Sequence, residues 1–470
     1  MNVFSKFQTN PIIARLSIEQ AYFQFASATE NQRVADAIHQ ELVELGVCFE
    51  GKRLPVSLRP TIVSAAEIEI VARELGVVRE LLNRILIQFV ADLRENRQEA
   101  PLLKFFDFYS RWFELIAQET RSSDHIMLMR YDAIRSDNGE IKVMETNGAC
   151  PGGVIHCAYI RDAWRKTEFG TSVLGSIMTV EQVCDDPNGF LKLLYDVNPN
   201  DGTPTIALCN YKGVYTNELA SLARRNELIR SQGLLNGHVI VCDIRDIEIV
   251  DGRATVDGRP IDVVYNKIDP MMIDPSDPEI SAWIAASRLR NCEFLNSFAA
   301  LYIGEAKSIF AALWDDEILA EIAATASEIE VVRRRVPKTR MMLGRPNSPS
   351  YSELSQDRHK LVAKADALTR GTGVYVGKLE NSDGWGSALL NLSRTNAVIQ
   401  DVLDVPQRET LVFSPEKPDG RVELEYWGID LFYYGSTFAG TVGRAHQSII
   451  FNVGSGGCEV PTFVVGQVGM

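Results

Sequence analysis

Residues 129–153 read MRYDAIRSDNGEIKVMETNGACPGG. The stretch divides into two strands around a turn. Ile126 to Ile134 is expected as the first strand and Glu140 to Asn147 as the second, with Ser136-Asp137-Asn138-Gly139 between them; Asn-Gly flanked by strand-like runs is a strong hairpin signal. Alternate residues of a strand share a face. Arg130 and Asp132 therefore share one face of their strand, and Glu145 and Asn147 one face of theirs. Antiparallel pairing through the turn brings an Arg, two carboxylates and an amide oxygen together. Oxygen ligands of that kind suit Mg²⁺ held against phosphates, and an Arg beside them suits a phosphate or acyl phosphate. The same residues also fit a surface hairpin of alternating charge. The tail Gly148-Ala149-Cys150-Pro151-Gly152-Gly153 weighs toward a site, because a Gly- and Pro-rich turn at a strand end lets backbone approach a ligand closely.

Outward from this hairpin, the 470 residues are enough for two or three structural units. A hydrophobic share of 46% and a charged share of 23% are those of an ordinary globular chain. The net charge of −14 argues against a general nucleic-acid or acidic-membrane surface. No apolar run approaches 18 residues, and MNVFSKFQTNPIIARLS lacks a charged-then-apolar leader layout, so a cytoplasmic location is expected. The eight Cys are scattered without a C-x-x-C pair, the pattern of a reduced protein; Cys150 and Cys157 read as small structural residues in preference to a nucleophile.

Helical periodicity dominates from Ile18 to Gln118, in Val34–Leu45, Ala65–Ala91 and Phe105–Gln118, with Gly46 closing the first of these. From Thr203 the pattern changes to strand (204–209), helix (218–232), strand (238–242), hairpin turns at Asp251-Gly252 and Asp257-Gly258, and strand (261–265). That is a small α/β unit of Rossmann type without the G-x-G-x-x-G fingerprint. Residues 278–325 read as helical and include Lys307.

A third unit begins near His359. The strand 360–364 carries Lys364, and Arg370-Gly371-Thr372-Gly373 follows as a glycine loop running into a strand that ends at Gly377. Backbone amides in such a loop can cradle phosphate oxygens, with Lys364 supplying charge, although no G-K-[ST] follows. A helix at 385–392, a strand reaching Gln400-Asp401-Val402, and β runs at 421–434 and 448–453 complete the unit, with glycines at 454, 456 and 457 after the last. Arg444, between Gly440-Thr441-Val442-Gly443 and the last run, reads either as an exposed edge residue or as a phosphate or carboxylate clamp.

In order, these features resemble the ATP-grasp superfamily, specifically its circularly permuted branch, which includes glutathionylspermidine synthase-like ligases. The usual order is a small α/β domain, a phosphate lysine, a glycine lid, a hinge Gln or Glu, a strand with Arg and an Asn-Gly-Gly segment, and then the D…E-x-N metal strands. Here Asp132, Glu145 and Asn147 stand first, and Arg444 through Asn452-Val453-Gly454-Ser455-Gly456-Gly457 stands last. The resemblance implies an α/β (α+β) chain with a circularly permuted ATP-grasp fold, a Rossmann-like pre-ATP-grasp domain and a helical N-terminal region. Its expected units are 1–120 (helical), 121–170 (metal strands), 200–330 (pre-ATP-grasp domain and following helices) and 355–470 (lid, hinge and remaining strands).

The resemblance also implies roles. Asp132, Glu145 and Asn147 match Mg²⁺ ligands, and Arg130 the residue that stabilises the transferred phosphoryl group, with Arg444 as a second catalytic candidate. Lys364, and Lys307 as an alternative, match the ATP-phosphate lysine; Gly371 and Gly373 match the lid, and Gln400 the adenine hinge. The short glycine run and Ala365-Asp366 after the lysine depart from many relatives. The implied activity is an ATP-dependent carboxylate–amine ligase that works through an acyl phosphate on a small acid and a small amine, with no nucleic-acid or membrane partner. A small-molecule kinase needs the same residues. A non-catalytic scaffold of this fold would be expected to have lost them. The acid is expected near Gly148–His156, where His156 reads either as a substrate contact or, the favoured reading, as a packed helix residue, and Arg161 and Arg165 either meet a carboxylate or, as such residues more often do, face solvent.

Overall fold

The computed structural model describes residues 28–44, 53–120, 124–136, 138–149, 151–154, 156–167, 170–171, 179–342, 348–369, 371–414, 417–450 and 456–466. Its N-terminal part is helical as the periodicity predicts: α1 is Ala28–Glu44 and α2 is Ala65–Arg94. Ser64 caps α2, its hydroxyl accepting from the Glu67 amide at 3.1 Å. One face of α2, from Ile68 through Leu75, Leu82 and Phe89, lies in the main core. The single helix expected over 105–118 is instead a short helix Pro101–Phe105, a 3₁₀ turn Asp107–Trp112 and a helix Phe113–Gln118. Phe105, Phe106, Tyr109 and Trp112 are all buried, and the change of helix type lets aromatics too closely spaced for one α face reach the core.

The predicted hairpin is present as β1 (Leu128–Arg135) and β2 (Ile141–Asn147), paired antiparallel. Gly46, Asp137, Cys150, Arg370 and residues 451–455 lie outside the described residues. The helix that follows the glycine tail, α3, spans His156–Arg165.

The next unit holds β3 (Thr205–Asn210), α4 (Thr216–Ser231), β4 (His238–Asp243) and β5 (Val263–Asn266). A further strand, β6 (Glu293–Leu295), falls where helix was expected; it completes a four-stranded parallel sheet in the order β6-β5-β3-β4. The Asp251-Gly252 and Asp257-Gly258 turns are hairpins, with positive φ at all four residues.

The C-terminal part contains a small antiparallel sheet in the order β7 (Thr339–Met341), β10 (Ala397–Asp401), β8 (Leu361–Ala365), β9 (Val374–Val376). Helix α5 (Ser382–Leu392) covers it through Trp385, Leu389 and Leu392. Three long strands follow: β11 (Gln407–Ser414), β12 (Lys417–Tyr434) and β13 (Thr437–His446), with β14 (Cys458–Val460) beyond. The strand expected over 448–453 is not formed at 448–450, which bend instead, the Ser448 amide donating to His446 Nδ1. The strand lies earlier, across Gly440 and Gly443, which are close-packing positions: a Cβ there would collide with Cys184 at one and with Val460 and Thr61 at the other.

β12 joins the early hairpin to the C-terminal strands. Its first half pairs with β11; its second half, Ile429–Tyr434, pairs on that side with β1, while β13 runs along its other edge. The hairpin is thus stitched into the sheet of the C-terminal third.

Candidate active site

Register sets the site. Across three adjacent strands Glu145 faces Asp132, and Asp132 faces Asp430, so three carboxylates form one row over β2, β1 and β12. Asn147 faces Arg130 on the neighbouring row. A bulge directly after Asp132 shifts the register by one residue, and pairing resumes between Ala133 and Val143.

The side chains close into a buried network. Arg130 Nε donates to Asp132 Oδ1 at 2.8 Å and lies 3.5 Å from Asp430 Oδ2. Arg444 Nη2 is 2.7 Å from Asp132 Oδ2 and 2.7 Å from Asp430 Oδ1. Asn147 Nδ2 donates to Asp132 Oδ1 at 2.8 Å, and Arg130 Nη1 donates to the Gly152 carbonyl at 3.0 Å. Arg444 is therefore a clamp on carboxylates and not an edge residue. Burial opposes the ionisation of Asp132, but Arg130 and Arg444 outweigh it and hold its pKa at about 2. Burial lifts Asp430 to about 7; Arg444 pulls the other way, and the ionised Asp132 adds to the rise.

Lysines flank the row on its other side. Lys364, buried, donates to the Met144 carbonyl at 3.0 Å and to Gln400 Oε1 at 2.8 Å; burial brings its pKa down to about 8. Lys307 donates to the Leu368 carbonyl at 2.6 Å, and its Nζ stands 3.9 Å from Glu145 Oε2. Gln400 turns inward, its amide donating to Thr339 Oγ1 at 3.0 Å.

All of these line one cavity of about 670 Å³, within the range of small-molecule sites. One end is walled by Val362, Val376 and the Asp401-Val402-Leu403 segment, the other by Gly152, Gly153 and residues 213–218, with the carboxylate row between. Gly371 lines the cavity with φ of 75°. Gly373 packs beneath it, where a methyl would sit 2.8 Å from Ala365 Cβ. His156 also lines the cavity, its Nδ1 3.2 Å from Glu459 Oε2. Arg161 and Arg165 do not: Arg161 is buried and paired with Asp185 and Glu181, and Arg165 with Glu181. Cys157 is buried beneath the glycine tail, its Sγ 3.3 Å from the Gly153 carbonyl.

Among the described residues no group of three His, Cys, Asp or Glu side chains is arranged to hold a metal. The row nonetheless offers the oxygen donors that a hard cation takes: the carboxylates of Asp132 and Glu145 with the Asn147 amide oxygen, all facing the same cavity.

Sequence reasoning missed Asp430, Glu305, Glu459, Lys267 and Glu218, all of which line the cavity. Asp430 had a visible signal, a lone acid inside the apolar run YWGIDLFYY. Glu305 accepts from the Ala149 amide at 2.9 Å, which fixes the glycine tail; burial raises its pKa to about 7.

No family model matches the chain. Uncharacterized proteins of Mycobacterium tuberculosis (strain ATCC 25618 / H37Rv) and Mycobacterium leprae (strain TN) are each 25% identical to it, over 260 and 261 residues. The match takes in 53% of this chain but only 45% and 44% of theirs, so it spans less than half the length of the curated relatives. Among solved structures, a putative gamma-glutamylcysteine synthetase from Methylobacillus flagellatus aligns with TM-score 0.39 and 14% identity over 81% of this chain and 88% of that one. A glutathione synthetase like-effector from Globodera pallida, in apoform, aligns with TM-score 0.63 and 11% identity over 94% of this chain and 98% of that one. The chain therefore shares its fold with that glutathione synthetase like-effector.

Proposed function

We propose that this chain is an ATP-dependent carboxylate–amine ligase that works through an acyl phosphate on small amino-acid-like or peptide substrates. The observation that carries the reading is the meeting, on one cavity of a glutathione synthetase-like fold, of the row Glu145–Asp132–Asp430 with Arg130, Arg444, Lys307 and Lys364. Phosphoryl transfer asks a protein mainly to position reactants and neutralise charge, and these residues supply both.

In this reading ATP enters from the end walled by the small antiparallel sheet, with its base near Gln400 and the Asp401-Val402-Leu403 segment. Lys364 and Lys307 meet its phosphates, and the backbone around Gly371 closes on them. Asp132, Glu145 and Asn147 would hold Mg²⁺, which when bound offsets phosphate charge. Arg130, and Arg444 beside it, face the transferred group. A carboxylate oxygen of the acid attacks the γ-phosphorus and ADP leaves. The amine then attacks the acyl carbon, phosphate departs with the old C–O bond, and the nitrogen loses a proton. No protein nucleophile is needed.

The chain order supports a circular permutation of the ATP-grasp fold: the D…E-x-N hairpin comes early yet pairs with β12 from the C-terminal third. We assign 121–170 and 355–470 to the ATP-grasp core, 200–330 to a Rossmann-like pre-ATP-grasp unit and following helices, and 1–120 to helices packed on it.

The test is ADP release from Mg·ATP against amino acids and small acids, singly and in pairs, with mass spectrometry of the products. A product equal to two substrates less water supports ligation. A phosphorylated product alone makes the protein a kinase. Absence of both ATP binding and turnover refutes the nucleotide reading.

A further inference from the structure

The end of the cavity opposite Lys364 carries charged groups that phosphoryl transfer does not use. Lys267 sits at the end of β5 with its side chain 4% exposed, and its Nζ is 3.3 Å from Glu218 Oε2 in the first turn of α4. His156 opens α3, with Nδ1 3.2 Å from Glu459 Oε2 on the strand that pairs with Arg444. Both pairs press on the same turn. A methyl on Gly152 would lie 3.6 Å from Lys267 Nζ and 3.8 Å from Glu218 Oε2, and a methyl on Gly153 would lie 3.0 Å from Glu459 Oε1. Gly152 and Gly153 are consecutive, so a buried cation and two carboxylates stand around one short turn.

On the ligase reading above, we propose that this end binds a free α-amino acid, or the α-amino acid head of a small peptide, with Lys267 taking its carboxylate and Glu218 and Glu459 its ammonium.

Charge decides against a phosphate here. Two carboxylates facing Gly152 and Gly153 repel a polyanion, whereas a zwitterion answers both signs at once. Glu218 Oε1 is buried and makes no hydrogen bond among the described residues. An acceptor left in that state costs free energy that an ammonium donor would recover. The glycines serve the same end, because a side chain at either position would occupy the space between the ion pairs. Arg130 Nη1 binds the Gly152 carbonyl, so the turn that separates the pairs is tied directly to the carboxylate row. A head group held at the turn therefore lies beside a residue that Arg130 binds directly.

Isothermal titration of the full chain, with ADP and Mg²⁺ present and with free proteinogenic amino acids, their N-acetyl forms and their α-carboxamides as probes, tests this. The expected result is that at least one free amino acid binds at millimolar concentration or below. Its N-acetyl and carboxamide forms should bind at least roughly tenfold more weakly, and Lys267→Met and Glu218→Gln should each lose roughly tenfold while ADP affinity holds. Preference for a blocked derivative, or variants that bind like the wild type, overturns the proposal. Binding of ADP without any free amino acid overturns it and leaves the nucleotide reading standing; loss of ADP binding to the wild type overturns both. The blocked ligands decide the matter on the unmodified protein, so a variant that fails to fold does not.

Discussion

Nucleotide binding should draw a proton onto Lys364. Burial lowers the pKa of this ammonium from 10.5 to about 8, which at 1.36 kcal/mol per tenfold is roughly 3 kcal/mol of opposition to the charged form. The lowered value means the unfolded chain holds the proton more tightly between pH 8 and 10.5. The stability contribution of Lys364 is therefore present above that window and lost as pH falls through about 8. A phosphate placed at Nζ restores the charge. Free protein is about half protonated at this site at pH 8, so binding of Mg·ADP should take up about half a proton there, about a tenth at pH 7 and about nine-tenths at pH 9. Calorimetry in paired buffers of different ionisation enthalpy reads these numbers directly. Affinity should weaken with rising pH above 8. In Lys364→Met the pH-dependent uptake should vanish and ADP should bind more weakly. Uptake that persists in the variant, or is absent in the wild type at pH 8 and 9, refutes the placement of the phosphates at Lys364.

Other expectations follow from the same geometry. Arg444→Met leaves Asp132 and Asp430 facing each other without the guanidinium 2.7 Å from both; the cost should be about 3–5 kcal/mol, read as a lower unfolding midpoint in urea, and an unchanged midpoint contradicts the network. Glu145 is 32% exposed, and Lys307 Nζ stands 3.9 Å from it. Glu145→Gln should therefore cost less than about 1 kcal/mol of stability yet abolish ATP turnover, and a variant with normal turnover removes Glu145 from the metal set. Gly373→Ala places a methyl 2.8 Å from Ala365 Cβ at a φ of 70° and should destabilise the chain by about 1–3 kcal/mol. Gly371→Ala places a methyl 2.7 Å from Ile450 Cγ2 at a φ of 75° and should lower the melting temperature comparably while also raising the Kd for ADP.

The hairpin was legible because its determinants are local. Asn138-Gly139 sets the turn and the register as far as Ala133 and Val143, and the one-residue bulge beyond them carries Asp132 to Glu145 and Arg130 to Asn147. Lys364 was legible because it ends a short apolar strand beside a glycine loop. Asp430 was not joined to this set because its partner strand lies some 300 residues earlier, and no local pattern encodes a pairing at that distance. The glycines of β13 read as loop residues when their use is close packing between layers. Strand β6, Glu293–Leu295, is too short to show a period and is specified by the parallel neighbour it completes. Lys267 and Glu218 stood in plain sight within the α/β unit, but only the fold brings that unit over the glycine tail.

The pairing of Asp132 with Asp430 also governs when the molecule becomes whole. At 5–20 residues per second, a ribosome takes roughly 15–60 s to pass from one position to the other. Through that interval β2 can pair with β1 but β12 cannot, and a bare strand edge invites other chains. Asp132 meanwhile holds Arg130 without the second guanidinium that completes its shell. The nascent chain is therefore most exposed to misassociation late in synthesis. Slowing elongation beyond the hairpin should lower the soluble yield more than slowing it before, and added chaperone should recover it.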